Sequence, residues 1–468
     1  MRRSRVLPLV LLCSPLLMSC GLMRTYYSRP LVNVPASYFH ADENAKASLD
    51  RWWQSFDDLK LNALVEKALN NNNDLALAAL NVRAAQLQVH LAVINPIVAA
   101  GYTYDYSKPL NGSVPAMRFH SLTASVSYEV DLWDQLGAVK DVARWEARAT
   151  EQDRQSAAVA LIGTVVDLYY QLADLNYRID MSEQSIAYAT RTLQIVQVLK
   201  TAGGATQLEL AESEQGLESR KAARSALQEQ RVELRNALTV LLNGTPWSEE
   251  FERPAVPDGT PPPVAPGLPF SLLDRRPDLR AAELRLRETL AQTDATRLSF
   301  YPNLILTGSL GTASTGLSEL VSNPLGSLAA SLSLPFIQMT QAKFATELAR
   351  TQYEKAVVGF RKTLLQALSD VDNALSARSQ LAVEGMSLKR SLAAVKSAER
   401  LDEVRYRAGS VALQVWLDAE ETRRQAEIAM AGNRLSRMQN FATLCQVLGG
   451  APSADVSGTV STPRKPTL

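Results

Sequence analysis

The sequence predicts an α+β membrane protein in which very long helices alternate with short paired strands. Two stretches, residues 116–245 and 336–450, each exceed one hundred residues without a proline, and each contains a glycine-bearing break near its middle. Beside each stretch lie runs in which apolar and hydroxyl-bearing side chains alternate, as in strands with two different faces. Because the same order of elements occurs twice, we expect an internal two-fold sequence repeat.

Residues 1–19 have the pattern of a bacterial signal peptide, with three arginines before an apolar run. Leu17, Ser19 and Cys20 fit the motif cut by the lipoprotein signal peptidase, so Cys20 is expected to carry an N-acyl chain and a diacylglycerol. An ordinary secretory signal with a chance cysteine is the alternative. One lipidated cysteine anchors a protein to a membrane without threading it through. Because Gly21 and not aspartate follows, we expect sorting to the outer membrane.

The composition argues against several classes of protein. Loss of the three signal arginines leaves 46 of the 49 basic residues against 48 acidic residues, a net charge of about −2, which gives no support for nucleic-acid binding. After processing, Cys445 is the only free thiol, so no intramolecular disulfide is expected. The three histidines have no metal-binding spacing, and there is no nucleophile or phosphate-binding motif. The sequence therefore predicts no enzyme, no catalytic residue and no metal site.

The mature chain is expected to begin with a lipidated tether, residues 20–50, which has two prolines and little periodicity. The first repeat, residues 51–246, opens with helices that break at the four asparagines of residues 70–73, since asparagine is a poor interior helix residue. A proline-rich linker at 247–270 precedes the second repeat at 271–450. The tail, residues 451–468, is expected to be disordered.

Each repeat contains a predicted hairpin of strands. In the first, hydroxyl-bearing residues alternate with the apolar residues Leu122, Ala124, Val126, Tyr128 and Val130. The pattern returns about 205 positions later, in residues 303–311 and 327–334. About ten such residues match a transmembrane β-strand, apolar toward lipid and polar toward a lumen. A hairpin of a soluble sandwich is the alternative, and the second copy of the pattern favours the membrane interpretation.

Each hairpin is followed by two long helices joined by a turn. Residues 134–200 carry an apolar seam with steps of three and four, and at 1.5 Å per residue such a helix reaches about 100 Å. Thr206 and Glu209 fit a capping box at the start of the return helix. In the second pair, we expect Gly409 to take the left-handed conformation that ends one helix and Ser410 to cap the next.

Four membrane-type strands cannot form a closed barrel, because open sheet edges in hydrocarbon leave backbone groups unpaired. Two, three or four copies of the chain could share one barrel of eight or more strands. The long helices would continue it as a second, helical barrel, since their faces are rich in alanine, serine and glutamine. A solid trimeric coiled-coil stalk is the alternative, but it needs one dominant apolar seam.

Four stretches resemble the outer membrane factors, the TolC-like lipoproteins of resistance-nodulation-division efflux systems. They are residues 52–57, 272–283, 299–304 and 405–409, and the second contains the highly specific Arg275-Arg276-Pro277-Asp278. The resemblance covers roughly residues 45–450. It implies a homotrimer with a 12-stranded β-barrel, four strands per chain, in the outer membrane and a 12-helix periplasmic α-barrel. It also implies an exit duct docked through a periplasmic adaptor to an inner-membrane transporter.

The resemblance also suggests functional residues at the periplasmic ends of the helices. Acidic and aromatic side chains near the turns would narrow the periplasmic aperture, and the turns themselves would dock the adaptor. The aperture residues are Asp418, Tyr406, Glu209 and Glu212, and the turn residues are Gly203, Gly204 and Gly409. Three copies of a carboxylate around a narrow axis attract cations. The alternatives are a solvated acid at a helix start for Asp418 and a capping role for Glu209.

Two positions depart from the family pattern, since Val415 stands where members have an outer acidic residue and Val411 where some have an arginine that locks the aperture. An ion-pair lock at Val411 is therefore not expected.

The rival within the duct interpretation is the outer-membrane channel of a type I protein secretion system. The lipidation motif and the residue 275–278 stretch favour efflux of drugs or other small toxic molecules. Cargo choice is expected to lie mostly in the inner-membrane pump.

Overall fold

The computed structural model describes residues 23–39, 50–110, 115–264, 266–267, 269–322 and 324–450. The predicted signal peptide, Cys20 and the C-terminal tail lie outside the described residues. The helices are α1 (Leu59–Asn71), α2 (Asn73–Leu91), α3 (Gln135–Thr201), α4 (Gln207–Leu241), α5 (Leu272–Arg275), α6 (Pro277–Leu298), α7 (Met339–Arg407) and α8 (Leu413–Val447). The strands are β1 (Ile97–Ser107), β2 (Met117–Val130), β3 (Asn303–Ser314) and β4 (Pro324–Ser333). The predicted hairpins and long helices are thus confirmed.

The contacts divide the chain into two compact units. The first contains the described parts of residues 1–32, 81–151 and 281–362, and includes all four strands. The second contains the described parts of residues 33–80, 152–280 and 363–468, and includes the turns between the long helices.

The four strands of the first unit form one antiparallel sheet in the order β1-β2-β3-β4. Hydroxyl groups on one face hydrogen-bond across the strands, over 2.7 Å from Thr103 to Ser121 and over 2.7 Å from Ser309 to Ser327. The other face exposes large apolar side chains, among them Leu310 and Leu328. Among the described residues, β1 and β4 are the edge strands, and each pairs on one side only.

The break predicted among the asparagines is confirmed at Asn72, which has extended backbone between α1 and α2. Its side-chain oxygen accepts a hydrogen bond from the backbone N–H of Leu75, 3.0 Å away, so it caps α2. Its amide nitrogen donates to the carbonyl of Leu241 at 3.2 Å. The residue that interrupts one helix therefore starts the next and ties it to the end of α4.

Aromatic side chains form the core of the second unit. Trp52, Tyr170 and Phe441 are at most 2% exposed, and the ring of Phe56 lies 5.1 Å from that of Tyr170 and 5.0 Å from that of Phe441. The indole N–H of Trp52 donates to the carbonyl of Gly450 at 3.2 Å. Trp52, which belongs to one of the four stretches that carry the family resemblance, thus packs the segment before α1 against the end of α8.

The arginine-proline-aspartate stretch also has a structural role. Arg276 forms a two-point ion pair with Asp278 and donates to the carbonyl of Val447, 3.2 Å away, in the last turn of α8. Pro277 occupies the first position of α6, where its missing N–H costs nothing. The stretch therefore starts α6 and holds the end of α8.

The two longest helices, α3 and α7, contain 67 and 69 residues, which corresponds to about 100 Å each. By length and composition alone, α3 includes an 18-residue window that could cross a membrane, with a mean hydropathy of 1.3. No stretch after the signal peptide has 18 or more consecutive apolar residues, so the sequence predicts no membrane-spanning helix. In the structure, 61% of the α3 window is buried inside the protein, as expected for a helix that packs on other helices.

Candidate functional site: the helical hairpin turns

The two turns that join the long helices have the same hydrogen bonds. After α3, the N–H of Gly203 donates to the carbonyl of Lys200 and that of Gly204 to the carbonyl of Leu199. After α7, Gly409 and Ser410 donate in the same way, over 2.9 Å each, to the carbonyls three and five residues earlier. Gly203 and Gly409 have φ values of 79° and 70°, in the left-handed region that favours glycine. Both turns are Schellman motifs, so the predicted helix ends are confirmed.

The expectation that Ser410 caps α8 is wrong. Its hydroxyl donates to the carbonyl of Arg405 at 2.9 Å, so it satisfies the end of α7 instead. The residue that precedes α8 is Ala412, which has no side-chain cap. The turn is too long for Ser410 to reach the first N–H groups of α8, since two residues intervene before Leu413.

Glu209 lies at the start of α4 in a complete capping box. Its backbone N–H donates to the hydroxyl of Thr206 at 3.2 Å, and its carboxylate accepts from the backbone N–H of Thr206 at 2.5 Å. These hydrogen bonds, from the backbone N–H first and then from the hydroxyl of Thr206, lower the pKa of Glu209. The capping role, one of the two alternatives for this residue, is confirmed.

Tyr406 belongs to an aromatic cluster near the second turn. Its ring stacks on that of Trp416 with centroids 5.4 Å apart and an angle of 21°. On the other side, Trp416 meets the ring of Tyr188 edge-on at 6.4 Å. These rings come from α7, α8 and α3, so the cluster packs the two helical hairpins together just beyond the turns.

The remaining predicted aperture residues are exposed. Asp418 accepts a hydrogen bond from the side-chain amide of Gln414, one turn earlier on α8, at 2.8 Å. Glu212 is exposed on α4. Val415, the position where family members have an outer acidic residue, is 41% exposed on α8. In the part of the chain that the structure describes, no hydrogen bond or ion pair joins Asp418, Glu209 and Glu212 to one another. The predicted role of Asp418 in an aperture stays a prediction.

A buried arginine connects the two helical hairpins further from the turns. Arg424 of α8 is 4% exposed and donates two hydrogen bonds, of 2.9 and 3.2 Å, to one carboxylate oxygen of Glu421. Its guanidinium lies 3.7 Å from Glu420 and 5.0 Å from the centre of the Tyr188 ring on α3. Glu421 also faces Arg220 of α4 at 3.6 Å. Arg424 therefore holds together residues from three helices, and we call this group the Arg424 cluster.

The two carboxylates of the Arg424 cluster have opposite pKa shifts. Burial raises the pKa of Glu420 above its usual value, although the charge of Arg424 opposes this. Burial acts on Glu421 too, but its hydrogen bonds with Arg424 and the charges of Arg424 and Arg220 hold its pKa below the usual value. Glu421 is thus the acid that the fold stabilises in its charged form.

Sequence reasoning missed the Arg424 cluster. The sequence does indicate ion pairs along α8, because glutamates three and four positions before Arg424 share its helix face. That spacing is common on solvated helix faces, so it does not indicate that α3 and α4 cover the face of α8 that carries Arg424. The contribution of Tyr188 and Arg220 could be found only from the packing.

Most of the chain is similar to known export proteins and to a solved outer membrane channel. It is 30% identical over 417 residues to the pyoverdine export outer membrane protein OpmQ of Pseudomonas putida, covering 86% of this chain and 89% of that one. It is 29% identical over 382 residues to the toxin and drug export protein A of Aggregatibacter actinomycetemcomitans, covering 81% and 84%. The solved structure of the Campylobacter jejuni CmeC outer membrane channel matches with a TM-score of 0.83 at 22% identity, covering 92% and 94%.

The predicted resemblance is confirmed at the level of the family. The sequence profile for outer membrane efflux proteins matches residues 64–244 and 268–450, which together span both helical hairpins and all four strands. The fold, mostly helical with one small sheet, is that of TolC-like outer membrane channels, which are not enzymes. The chain belongs to the outer membrane efflux protein family.

Proposed function

We propose that this chain is the outer-membrane exit duct of a tripartite efflux pump. In this role it passively conducts small molecules, delivered by an inner-membrane resistance-nodulation-division transporter and a periplasmic adaptor, to the cell exterior. The observation that carries the proposal is the sheet, whose one face exposes leucines while the other carries hydrogen-bonded hydroxyls. Such a sheet suits lipid on one side and an aqueous lumen on the other.

The sheet also supports the proposed homotrimer. Its edge strands, β1 and β4, leave backbone groups that must be paired in hydrocarbon. Three copies joined edge to edge supply 12 strands, within the range of known outer-membrane barrels. The long helices of the three copies would then form the 12-helix periplasmic barrel. We propose that the lipid on Cys20 anchors this assembly in the outer membrane.

The turns are the proposed periplasmic end of the duct. Gly203, Gly204 and Gly409 would present the adaptor with two similar turns per chain. Tyr406, held by Trp416, and the exposed Asp418 would lie at the aperture. Glu209 caps α4, but its carboxylate is exposed and charged, so it can still contribute to the electrostatic field at the aperture.

The cargo proposed here is a drug or another small toxic molecule. Similarity to a pyoverdine export outer membrane protein adds pyoverdine to the candidate cargoes. Similarity to a toxin and drug export protein supports a second candidate, the outer-membrane channel of a type I protein secretion system.

The test is a deletion strain complemented with the wild-type chain or with Cys20→Ala. We expect deletion to raise susceptibility to antibiotics and to slow the efflux of a preloaded dye, and the wild-type chain to restore both. Cys20→Ala reports whether the lipid is required. If deletion leaves every small molecule unaffected but abolishes release of a secreted protein, the secretion channel replaces the efflux duct.

A further inference from the structure

The N-terminal strap, which we define as residues 23–32, is held in the first unit by charged side chains. Arg24 forms ion pairs with Asp134 over 2.7 Å and with Asp141 over 2.6 Å. Asp134 is the last residue before α3, and it lies only four positions after the end of β2. Met23 accepts a hydrogen bond at its carbonyl from Arg297 in the last turn of α6. The strap therefore begins at the junction between a strand and a long helix.

The next residue of the strap satisfies a buried carboxylate. Asp294 of α6 is 3% exposed. Its two oxygens accept from the backbone N–H of Thr25 at 2.8 Å and from the hydroxyl of Thr25 at 2.7 Å. Arg297, on the same helix, supplies a further contact at 3.0 Å. Two of the three donors to this buried acid thus come from the strap.

A second buried carboxylate binds the strap about three turns earlier on α6. Glu283 is 6% exposed and contacts Arg29 at 2.7 Å and the hydroxyl of Tyr27 at 3.3 Å. Arg287 donates to the same carboxylate and lies 4.5 Å from the centre of the Tyr27 ring. Burial and the charge of Glu283 raise the pKa of Tyr27 to about 12, so its hydroxyl remains a donor.

Helix α3 leaves space for the strap at Gly137. A Cβ atom at this position would clash with the carboxylate of Asp134 and would lie 3.0 Å from the guanidinium of Arg24. In contrast, the side chains of Tyr26 and Leu31 are 91% and 92% exposed, so apolar burial does not hold these two positions. The strap is held through specific polar contacts.

We propose that these contacts make the strap a positioning element, by which α3 and α6 recognise residues 23–29 and fix the amino terminus without help from a lipid. Asp294 and Glu283 are buried, and the loss of hydrogen-bond donors destabilises a protein far more at a buried carboxylate than at an exposed one. With the strap undocked, the charged partner that each keeps among the described residues is an arginine of its own helix. The proposal goes beyond the proposed function, since docking does not depend on what the chain transports.

The docked strap limits where a lipid on Cys20 can lie. Met23 lies three positions after Cys20. Because an extended chain spans at most about 3.6 Å per residue, the two Cα atoms are within about 11 Å. The lipid would therefore attach beside the strand–helix junction. If the strands cross the membrane, this junction is where the bilayer surface must be.

Trypsin cleavage after Arg24 tests the proposal, because in the docked strap this side chain is only 24% exposed and is paired with two carboxylates, so trypsin cannot bind it readily. The bond after Arg29 precedes Pro30 and resists trypsin, so it does not interfere. The protein is purified from membranes and digested briefly, and fragments that begin at Thr25 are counted by mass spectrometry. The variants are Thr25→Val, Asp294→Asn and Cys20→Ala. The matched control is Tyr26→Ser, on the same strap but exposed.

We expect slow cleavage in the wild-type protein, in Tyr26→Ser and in Cys20→Ala. Thr25→Val removes one hydrogen bond from the buried charge of Asp294, and Asp294→Asn removes the charge that Thr25 and Arg297 both contact. Each variant should speed cleavage by about tenfold or more. Fast cleavage of the wild-type protein, or of Cys20→Ala alone, would overturn the proposal, since the strap would then be free or held by its lipid. The readout does not require transport, so it stands even if the efflux assay fails.

Discussion

Replacement of Arg424 by methionine should separate the two helical hairpins more than any exposed substitution nearby. Methionine keeps the apolar part of the side chain but removes the guanidinium that contacts Glu421, Glu420 and Tyr188. Loss of one partner of a fully buried ion pair costs about 3–5 kcal/mol. The side chain of Glu421 is 35% exposed and keeps Arg220 at 3.6 Å, so we expect about 3 kcal/mol. This corresponds to a factor of roughly 100 in local opening.

Hydrogen–deuterium exchange of the purified protein measures this opening. Peptides from residues 181–190 of α3 and 415–428 of α8 should exchange roughly 100-fold faster in Arg424→Met. The control is Arg423→Met, because Arg423 pairs with Glu399 and Glu427, which lie on α7 and α8 alone. That variant should loosen α8 but leave α3 unchanged. Unchanged exchange of α3 in Arg424→Met would refute the role of this residue in joining the hairpins.

Three further predictions concern single residues. Glu421→Gln should destabilise the hairpins at neutral pH, and this effect should vanish as the pH falls through the lowered pKa of Glu421. Glu420→Gln should stabilise the hairpins at neutral pH, since the raised pKa of Glu420 means that its charge is disfavoured. Melting curves from pH 3 to 8 compare the two variants. Asp418→Ala should lower cation selectivity and raise single-channel conductance in planar bilayers, and unchanged values would exclude the residue from the aperture. Gly409→Ala should lower the free energy of unfolding by about 1 kcal/mol through its backbone conformation alone, since a Cβ there meets nothing within 4 Å. Gly432 lies inside α8 and is equally unobstructed, so Gly432→Ala should raise the free energy of unfolding by about 0.5–1 kcal/mol. Chemical denaturation measures both changes.

Local patterns predicted the elements well because their physical causes are local. The left-handed glycine at Gly409, the capping box from Thr206 to Glu209 and the interruption at Asn72 each depend on a few neighbouring residues. Ser410 shows the limit of such reasoning. A serine after a glycine can close the preceding helix or open the next, and the length of the turn decides between them.

The contacts that join distant segments could not be predicted. Arg424 has the same glutamate spacing as an exposed helical arginine, and only α3 and α4 make it buried. The strap is a clearer case, because Asp294 is 269 residues from Thr25. Nothing in the sequence around either residue indicates that Thr25 donates hydrogen bonds to Asp294. The prediction of a lipidated tether at residues 20–50 contained no indication of where the strap docks.

Cross-linking of the sheet edges tests the central claim, that three copies close one barrel. Within one chain, β1 and β4 are separated by two strands, so they lie about 14 Å apart, too far for a disulfide. Cysteines are placed in pairs, one in residues 98–104 of β1 and one in residues 326–332 of β4. Cys445 does not compete, since it is buried and its thiol pKa is raised to about 12. Oxidation in outer membranes should give covalent trimers and nothing larger. Monomers at every pair, or ladders beyond three chains, would contradict a closed barrel of three.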